Sequence, residues 1–195
     1  MKHLLLLCLL SASAFAADAP LLQDDFSAPK LEQRRAMRGE WKFADQVATC
    51  TQDDELFKKN KDHGPILFYD LAHTDATLRM AFKPDAAVKS VVFTCNGADG
   101  HVFRLVVSAA GTSVRAFPSD SPDHKSIALA TEKAVKLVPG QWTPLSVTLH
   151  GSKATLKLGD FTQTYDHPSF ARAKTNFSLG FSFGTLSVKD VAAVK

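Results

Sequence analysis

The sequence has four glutamates, Glu32, Glu40, Glu55 and Glu132, and no two of them stand four residues apart. Paired acids projecting from one face of a single strand, the arrangement of many sugar-cleaving sites, are therefore missing from every segment. No Cys-x-x-Cys and no Cys/His pair at ligand spacing is present, which excludes a structural zinc site. Gly-x-Ser-x-Gly, a phosphate-binding glycine loop and His-Glu-x-x-His are absent too. Lysines and arginines are scattered and not interleaved with aromatics, so no track for a nucleic-acid backbone is written here. No stretch approaches the ~20 apolar residues needed to cross a bilayer, and there is no repeat or low-complexity tract.

What is present starts with a leader. Met1-Lys2-His3 is positive, Leu4 to Leu10 is apolar apart from Cys8, and Ser11-Ala12-Ser13-Ala14-Phe15-Ala16 ends in the small-x-small pattern that signal peptidase reads. Residues 1–16 are expected to be a signal peptide cut after Ala16, with 17–195 as one domain. This predicts a secreted or periplasmic, soluble protein with no transmembrane segment. The formal charge of +3 falls to about +2 once Lys2 is removed, which is close to neutral.

Two cysteines survive that cut, Cys50 and Cys95. In an oxidising compartment an even pair reads as a disulfide, worth ~4 kcal/mol for a loop of about 45 residues in the chain-entropy model. Both also sit in strand-like segments, where two separate buried thiols are equally in keeping with their surroundings.

The body of the chain alternates. Ala76, Leu78, Met80 and Phe82 fall on one side of a segment whose other side carries Thr77, Arg79, Ala81 and Lys83. A period of two marks a half-buried strand. The same pattern recurs at Val88–Cys95, His101–Ser108, Thr112–Phe117, Trp142–His150, Lys153–Leu158, Phe161–Tyr165, Asn176–Phe183 and Leu186–Val194, and more briefly at Leu22–Phe26, Gly39–Phe43, Val47–Thr51, Ile66–Tyr69 and Ala134–Leu137. Asn96-Gly97-Ala98-Asp99-Gly100 is a hairpin turn by composition. Pro118–Lys125 reads as a loop, and 166–175 as a loop or one helical turn. Only Leu31–Met37 has a helical look. A dozen or so short strands without alternating helices predict an all-β, two-sheet antiparallel sandwich.

Three segments carry a resemblance: Gly100-His101-Val102-Phe103-Arg104-Leu105-Val106-Val107, the Pro139-Gly140-Gln141-Trp142 turn with its following strand to Gly151, and Lys174 through Val191. With Asp24-Asp25-Phe26 and Gly39-Glu40-Trp41, they resemble the concanavalin A-like jelly-roll superfamily. The nearest likeness is to secreted bacterial domains of the 3-keto-disaccharide hydrolase-like or family 16 glycoside hydrolase-like kind. The resemblance implies a jelly-roll sandwich that binds carbohydrate or a cell-envelope glycan. It equally admits a glycoside hydrolase with its site on the concave sheet, or an envelope protein without a small ligand. The Glu-x-Asp-x-x-Glu strand of family 16 has no counterpart in this chain.

Candidate ligand-binding residues are Arg79, Arg104, His101, Asp70 and Trp142. Arg79 and Arg104 lie on the polar sides of their strands and would share a face if those strands were neighbours. Trp142, like Trp41, offers a ring on which a sugar can stack, and is also what packs a Pro-Gly-x-Trp turn. Asp70, His73 and Asp75 cluster around a strand–turn–strand junction, Asp99 and His101 flank the hairpin turn, and Asp120, Asp123 and His124 sit on the proline-rich loop. Each group is equally what a solvated turn looks like. Asp53-Asp54-Glu55 has oxygens for calcium but no recognised loop pattern. No cofactor or metal is otherwise indicated.

Overall fold

The computed structural model describes residues 20–119 and 125–195. The expected leader at residues 1–16, and Asp120, Asp123 and His124, lie outside the described residues. Fifteen strands are present among them. In chain order, β1 (Leu22–Asp24), β2 (Arg34–Met37), β3 (Lys42–Ala44) and β4 (Val47–Thr51) precede a short helix, α1 (Asp54–Lys59). Then come β5 (Ile66–His73), β6 (Ala76–Pro84), β7 (Ser90–Gly97), β8 (Gly100–Ser108), β9 (Gly111–Ala116) and β10 (Ile127–Glu132). The chain finishes with β11 (Thr143–His150), β12 (Lys153–Leu158), β13 (Phe161–Asp166), β14 (Lys174–Ser182) and β15 (Thr185–Val194), with one 3₁₀ turn at Pro168–Ala171.

These strands make two antiparallel sheets packed as a jelly-roll sandwich. The eight-stranded sheet runs β13-β12-β11-β6-β15-β4-β3, with β1 also paired to β15. The seven-stranded sheet runs β10-β9-β8-β7-β14-β5-β2. Alternation decides what lies between them. Leu78, Met80 and Phe82 of β6, Leu145, Val147 and Leu149 of β11, and Leu156 of β12 point inward from the first sheet and are buried. Phe93, Phe103, Leu105, Phe177 and Leu179 meet them from the second. Burying each such side chain contributes ~1.5–3 kcal/mol, and Phe177 stacks on Tyr69 at 5.2 Å.

A polar clasp joins the sheets at one end of this core. Arg34 of β2 donates from Nη1 to both carboxylate oxygens of Asp24 on β1, at 2.9 and 2.8 Å. Its Nη2 donates to the carbonyls of Ala28 and Pro29. The Tyr69 hydroxyl of β5 donates to Asp24 Oδ2 at 2.9 Å, and the Phe43 ring lies 4.0 Å beneath the guanidinium. Both charged side chains are almost wholly buried, at 2% and 3% exposure. A second buried cation, Lys174, donates to the carbonyls of Thr74 and Phe170 and so ties the 3₁₀ turn to the β5–β6 turn. Burial lowers its pKa.

Three expectations are corrected. Leu31–Met37 is not helical: its second half is β2, whose Arg34 and Arg35 are held by partners on other strands. The helix lies instead at Asp54–Lys59, where Asp53 caps it by accepting from Leu56 N at 2.7 Å. Asp53-Asp54-Glu55 is thus a helix start, with acids placed at the positive end of the dipole. Ala134–Leu137 forms no strand, and the edge strand is β10. Of the two readings of the cysteines, the structure has the separate thiols: Cys50 on β4 and Cys95 on β7 belong to opposite sheets, and both are free and buried.

Replacing Arg34 by Met leaves the Asp24 carboxylate buried and unpaired. The expected loss is about 3–5 kcal/mol, read from urea unfolding midpoints, and the double substitution Arg34→Met/Asp24→Leu recovers much of it.

Candidate functional site

The outward face of the seven-stranded sheet is built in cross-strand rows. One row runs Arg115 (β9), Arg104 (β8), Thr94 (β7), Ser178 (β14), Phe68 (β5) and Arg35 (β2), each in register with the next. The adjacent row runs His101, Asn96, Asn176 and Asp70 on β8, β7, β14 and β5. Thr94 and Ser178 face outward, yet only 5% and 1% of their surface is exposed. Small side chains therefore form the floor between the taller Arg104 and Phe68.

A β-bulge brings His101 beside Arg104. Cys95 pairs with Phe103 but Asn96 pairs with His101, so Val102 is the extra residue on β8. Strict alternation would send residues 101 and 104 to opposite faces, and the inserted residue puts both outside. Arg104 Nη2 then donates to His101 Nε2 at 2.5 Å. Because a guanidinium only donates, Nε2 must accept, and the ring proton sits on Nδ1. That nitrogen donates to Asn96 Oδ1 at 2.6 Å. Asn96 Nδ2 donates to Asn176 Oδ1 at 2.7 Å, and Asn176 Nδ2 donates to Thr175 Oγ1 at 3.2 Å. The result is a directed chain of five side chains across three strands.

Phe117 backs this chain. Its ring lies 5.1 Å from the His101 ring and 5.2 Å from the Arg104 guanidinium. Arg172, just past the 3₁₀ turn, donates to the Phe117 carbonyl at 2.7 Å and pairs with Asp99. It thereby pins the β7–β8 hairpin to the end of β9. Beside these residues is a recess of about 210 Å³ lined by Asp99, His101, Phe117, Ser119 and Arg172, among others.

Charge states follow from these contacts. Burial, then the neighbouring Arg104 charge, pushes His101 down to about 4, so the imidazole is neutral near pH 7 and free to accept from Arg104. Burial and the adjacent Arg115 lower Arg104 below the usual guanidinium range. Asp70 is gripped by Arg35 through Nε and Nη2, at 2.6 and 2.8 Å, and this pairing lowers its pKa. It is an ionised, occupied carboxylate, unsuited to donating a proton.

The sequence-derived candidates separate. Arg104 and His101 meet, and Asp70 stands at the far end of their row. Arg79 is on β6 in the other sheet, exposed on the opposite side of the sandwich, so the two arginines do not share a face. Trp142 is also on that side, with Lys83 and Lys189 at 5.1 and 5.0 Å from its ring. Trp41 packs edge-on against Phe181. Asp70, His73 and Asp75 do not converge: a second bulge lies on β5 between Asp70 and His73. His73 accordingly turns inward, and Asp75 pairs with His150. Among the described residues, no group of three or more His, Cys, Asp or Glu side chains is arranged to hold a metal. No helix among them is long and apolar enough to cross a membrane. Asn96, Asn176, Arg115 and Phe117 were not candidates on sequence. Asn96 reads as part of a turn and Asn176 as the start of an alternating strand, and no motif links them.

No protein-family model and no curated protein matches the sequence. Solved structures do match in fold. A carbohydrate binding module, CBM66, from Bacillus subtilis superposes with a TM-score of 0.61 at 11% identity, covering 84% of this chain and 96% of that one. The CBM2 module of the evolved Dit of Lactobacillus casei BL23 phage J-1 gives 0.63 at 13%, covering 89% and 94%. The binding domain of botulinum neurotoxin serotype D gives 0.55 at 8%, covering 82% of this chain and 42% of that one. At these identities the likeness is one of fold.

The His101 ring titrates, in this reading, with a midpoint near 4, which NMR of the imidazole protons measures directly. Its folded value lies below the unfolded one of 6.5. The unfolded chain therefore takes up more protons in between, and this histidine's contribution to stability is complete above about 6.5 and lost as pH falls towards 4. In Arg104→Met the midpoint rises, and an unchanged midpoint would remove Arg104 as a cause of the shift.

Proposed function

We propose that this protein is an exported, non-catalytic module that binds a glycan on the outward face of its seven-stranded sheet. The observation that carries the reading is the oriented chain Arg104–His101–Asn96–Asn176, set beside the Phe117 ring and over the Thr94–Ser178 floor. Sugars present hydroxyls in pairs on a ring with an apolar face. Planar amides, an imidazole and a guanidinium held in one orientation match those pairs, and an aromatic ring matches the face. Side chains already fixed by each other lose little freedom on binding. Support from outside the chain comes from the fold: two of the similar structures are, by name, carbohydrate-binding modules. Export rests on the leader at residues 1–16 and a single mature domain from residue 17.

Binding is favoured over hydrolysis because glycosidases flank the bond with an acid and a second carboxylate. Among the described residues, Asp70 and Asp99 are the acids at this face, and each is tied to an arginine. The 3-keto-disaccharide hydrolase-like likeness remains a matter of fold and turn motifs.

On a glycan array the purified chain is expected to retain a subset of polysaccharides, with no sugar released on prolonged incubation. Asn96→Ala and Asn176→Ala should each weaken the retained ligand by about tenfold, the cost of one or two polar contacts. Arg79→Ala, on the far side of the sandwich, should leave it unchanged. An array without a single retained glycan, or equal loss in Arg79→Ala, overturns the assignment. Turnover of a keto- or ordinary disaccharide that Asp70→Asn abolishes would replace it with the hydrolase.

A further inference from the structure

The outward row of the seven-stranded sheet contains a like-charge pair that no other described residue balances. Arg104 and Arg115 are direct cross-strand partners on β8 and β9 and emerge on the same side. Like charges in register, about 5 Å apart at the backbone, repel. Arg115 lowers the pKa of Arg104 in keeping with that repulsion. Elsewhere on this sheet arginines are matched: Arg35 holds Asp70, and Arg172 holds Asp99. Among the described residues neither Arg104 nor Arg115 forms an ion pair. The contacts they do make are neutral. Arg104 donates to a neutral imidazole and leaves its Nε buried without an acceptor. Arg115 donates from Nε to the Ser126 hydroxyl at 2.7 Å, and neither of its Nη groups bonds to another described residue. Both side chains are half-buried, so solvent screens them less than it would two extended surface arginines.

We propose that the glycan bound on this face is acidic, with its anionic group seated between Arg104 and Arg115. This rests on the glycan-binding reading and adds the chemical class of the ligand. The planar fork of a guanidinium matches a carboxylate or sulfate oxygen pair, and two forks side by side bridge one such group from both flanks. The anion converts the Arg104–Arg115 repulsion into two attractions, so the free protein is preorganised for it. The surrounding geometry keeps this pair in position. The Phe117 ring lies 5.2 Å from the Arg104 guanidinium and supports it. His101 accepts from Arg104 and orients it without adding a competing acid. The acidic sugar's neighbouring hydroxyls then fall along Asn96 and Asn176, the next positions in the hydrogen-bonded chain.

Isothermal titration tests this with two matched pairs: a galacturonate oligomer against the same oligomer after carboxyl reduction, and a sulfated galactan oligomer against its desulfated form. The charged member of at least one pair should bind about tenfold or more tightly, and which pair responds identifies the anion. Arg115→Gln should abolish the preference. Arg115→Lys, a charge without the fork, should keep part of it and guards against a merely misfolded variant. Arg79→Gln should keep all of it. Equal binding within both pairs, or a preference that survives Arg115→Gln, overturns the assignment. Should neutral glycans on the array bind while neither charged oligomer does, the acidic class falls and the glycan reading stands. A chain that retains nothing loses both.

Discussion

Strands such as β11 and β12 keep one side dry and turn the other outward. The inward positions of the two sheets are filled by Leu, Val, Met and Phe, so the core consumes every second residue of most strands. Polar side chains are left to collect on two outer surfaces. Those surfaces differ because the strand order differs. The eight-stranded sheet brings together Lys157, Arg79, Lys83 and Lys189 with threonine and serine between them. The seven-stranded sheet brings together two asparagines, a histidine and Arg104 in one hydrogen-bonded chain. The proposed binding surface is thus a by-product of packing: its residues come from β2, β5, β7, β8, β9 and β14, which are neighbours in space and scattered along the chain.

That scattering explains what the sequence makes legible. Period-two alternation locates most strands to within a residue or two, because a buried face leaves its mark on every second position. Lys153–Leu158 and Val47–Thr51 match their elements end to end. Errors arise where the alternation is interrupted or short. Arg34 and Arg35 look like helix formers by propensity, but tertiary partners make β2 extended. The edge strand β10 has weak apolar patterning because it is largely exposed.

The site is less legible than the fold, and for a specific reason. Pairing Arg104 with Arg79 assumes neighbouring strands, whereas β6 and β8 lie in opposite sheets. Joining His101 to Arg104 requires knowing that Val102 is an extra residue on β8. The sequence gives no sign of a bulge that a hairpin of ordinary length would not also give. Asn96 to Asn176 is a contact across 80 positions. Such links are properties of register, and register is decided by the whole set of strand pairs.

The two thiols have a further consequence. Cys50 and Cys95 sit in opposite layers with their pKa values pushed up to about 11 and about 12 by burial. Neither is a nucleophile in the native state, and among the described residues neither sulfur is joined to another. The described fold accordingly stands without a disulfide. Its integrity comes from packing and from the Asp24–Arg34–Tyr69 clasp, and an alkylating reagent would reach either sulfur only after the layers had come apart.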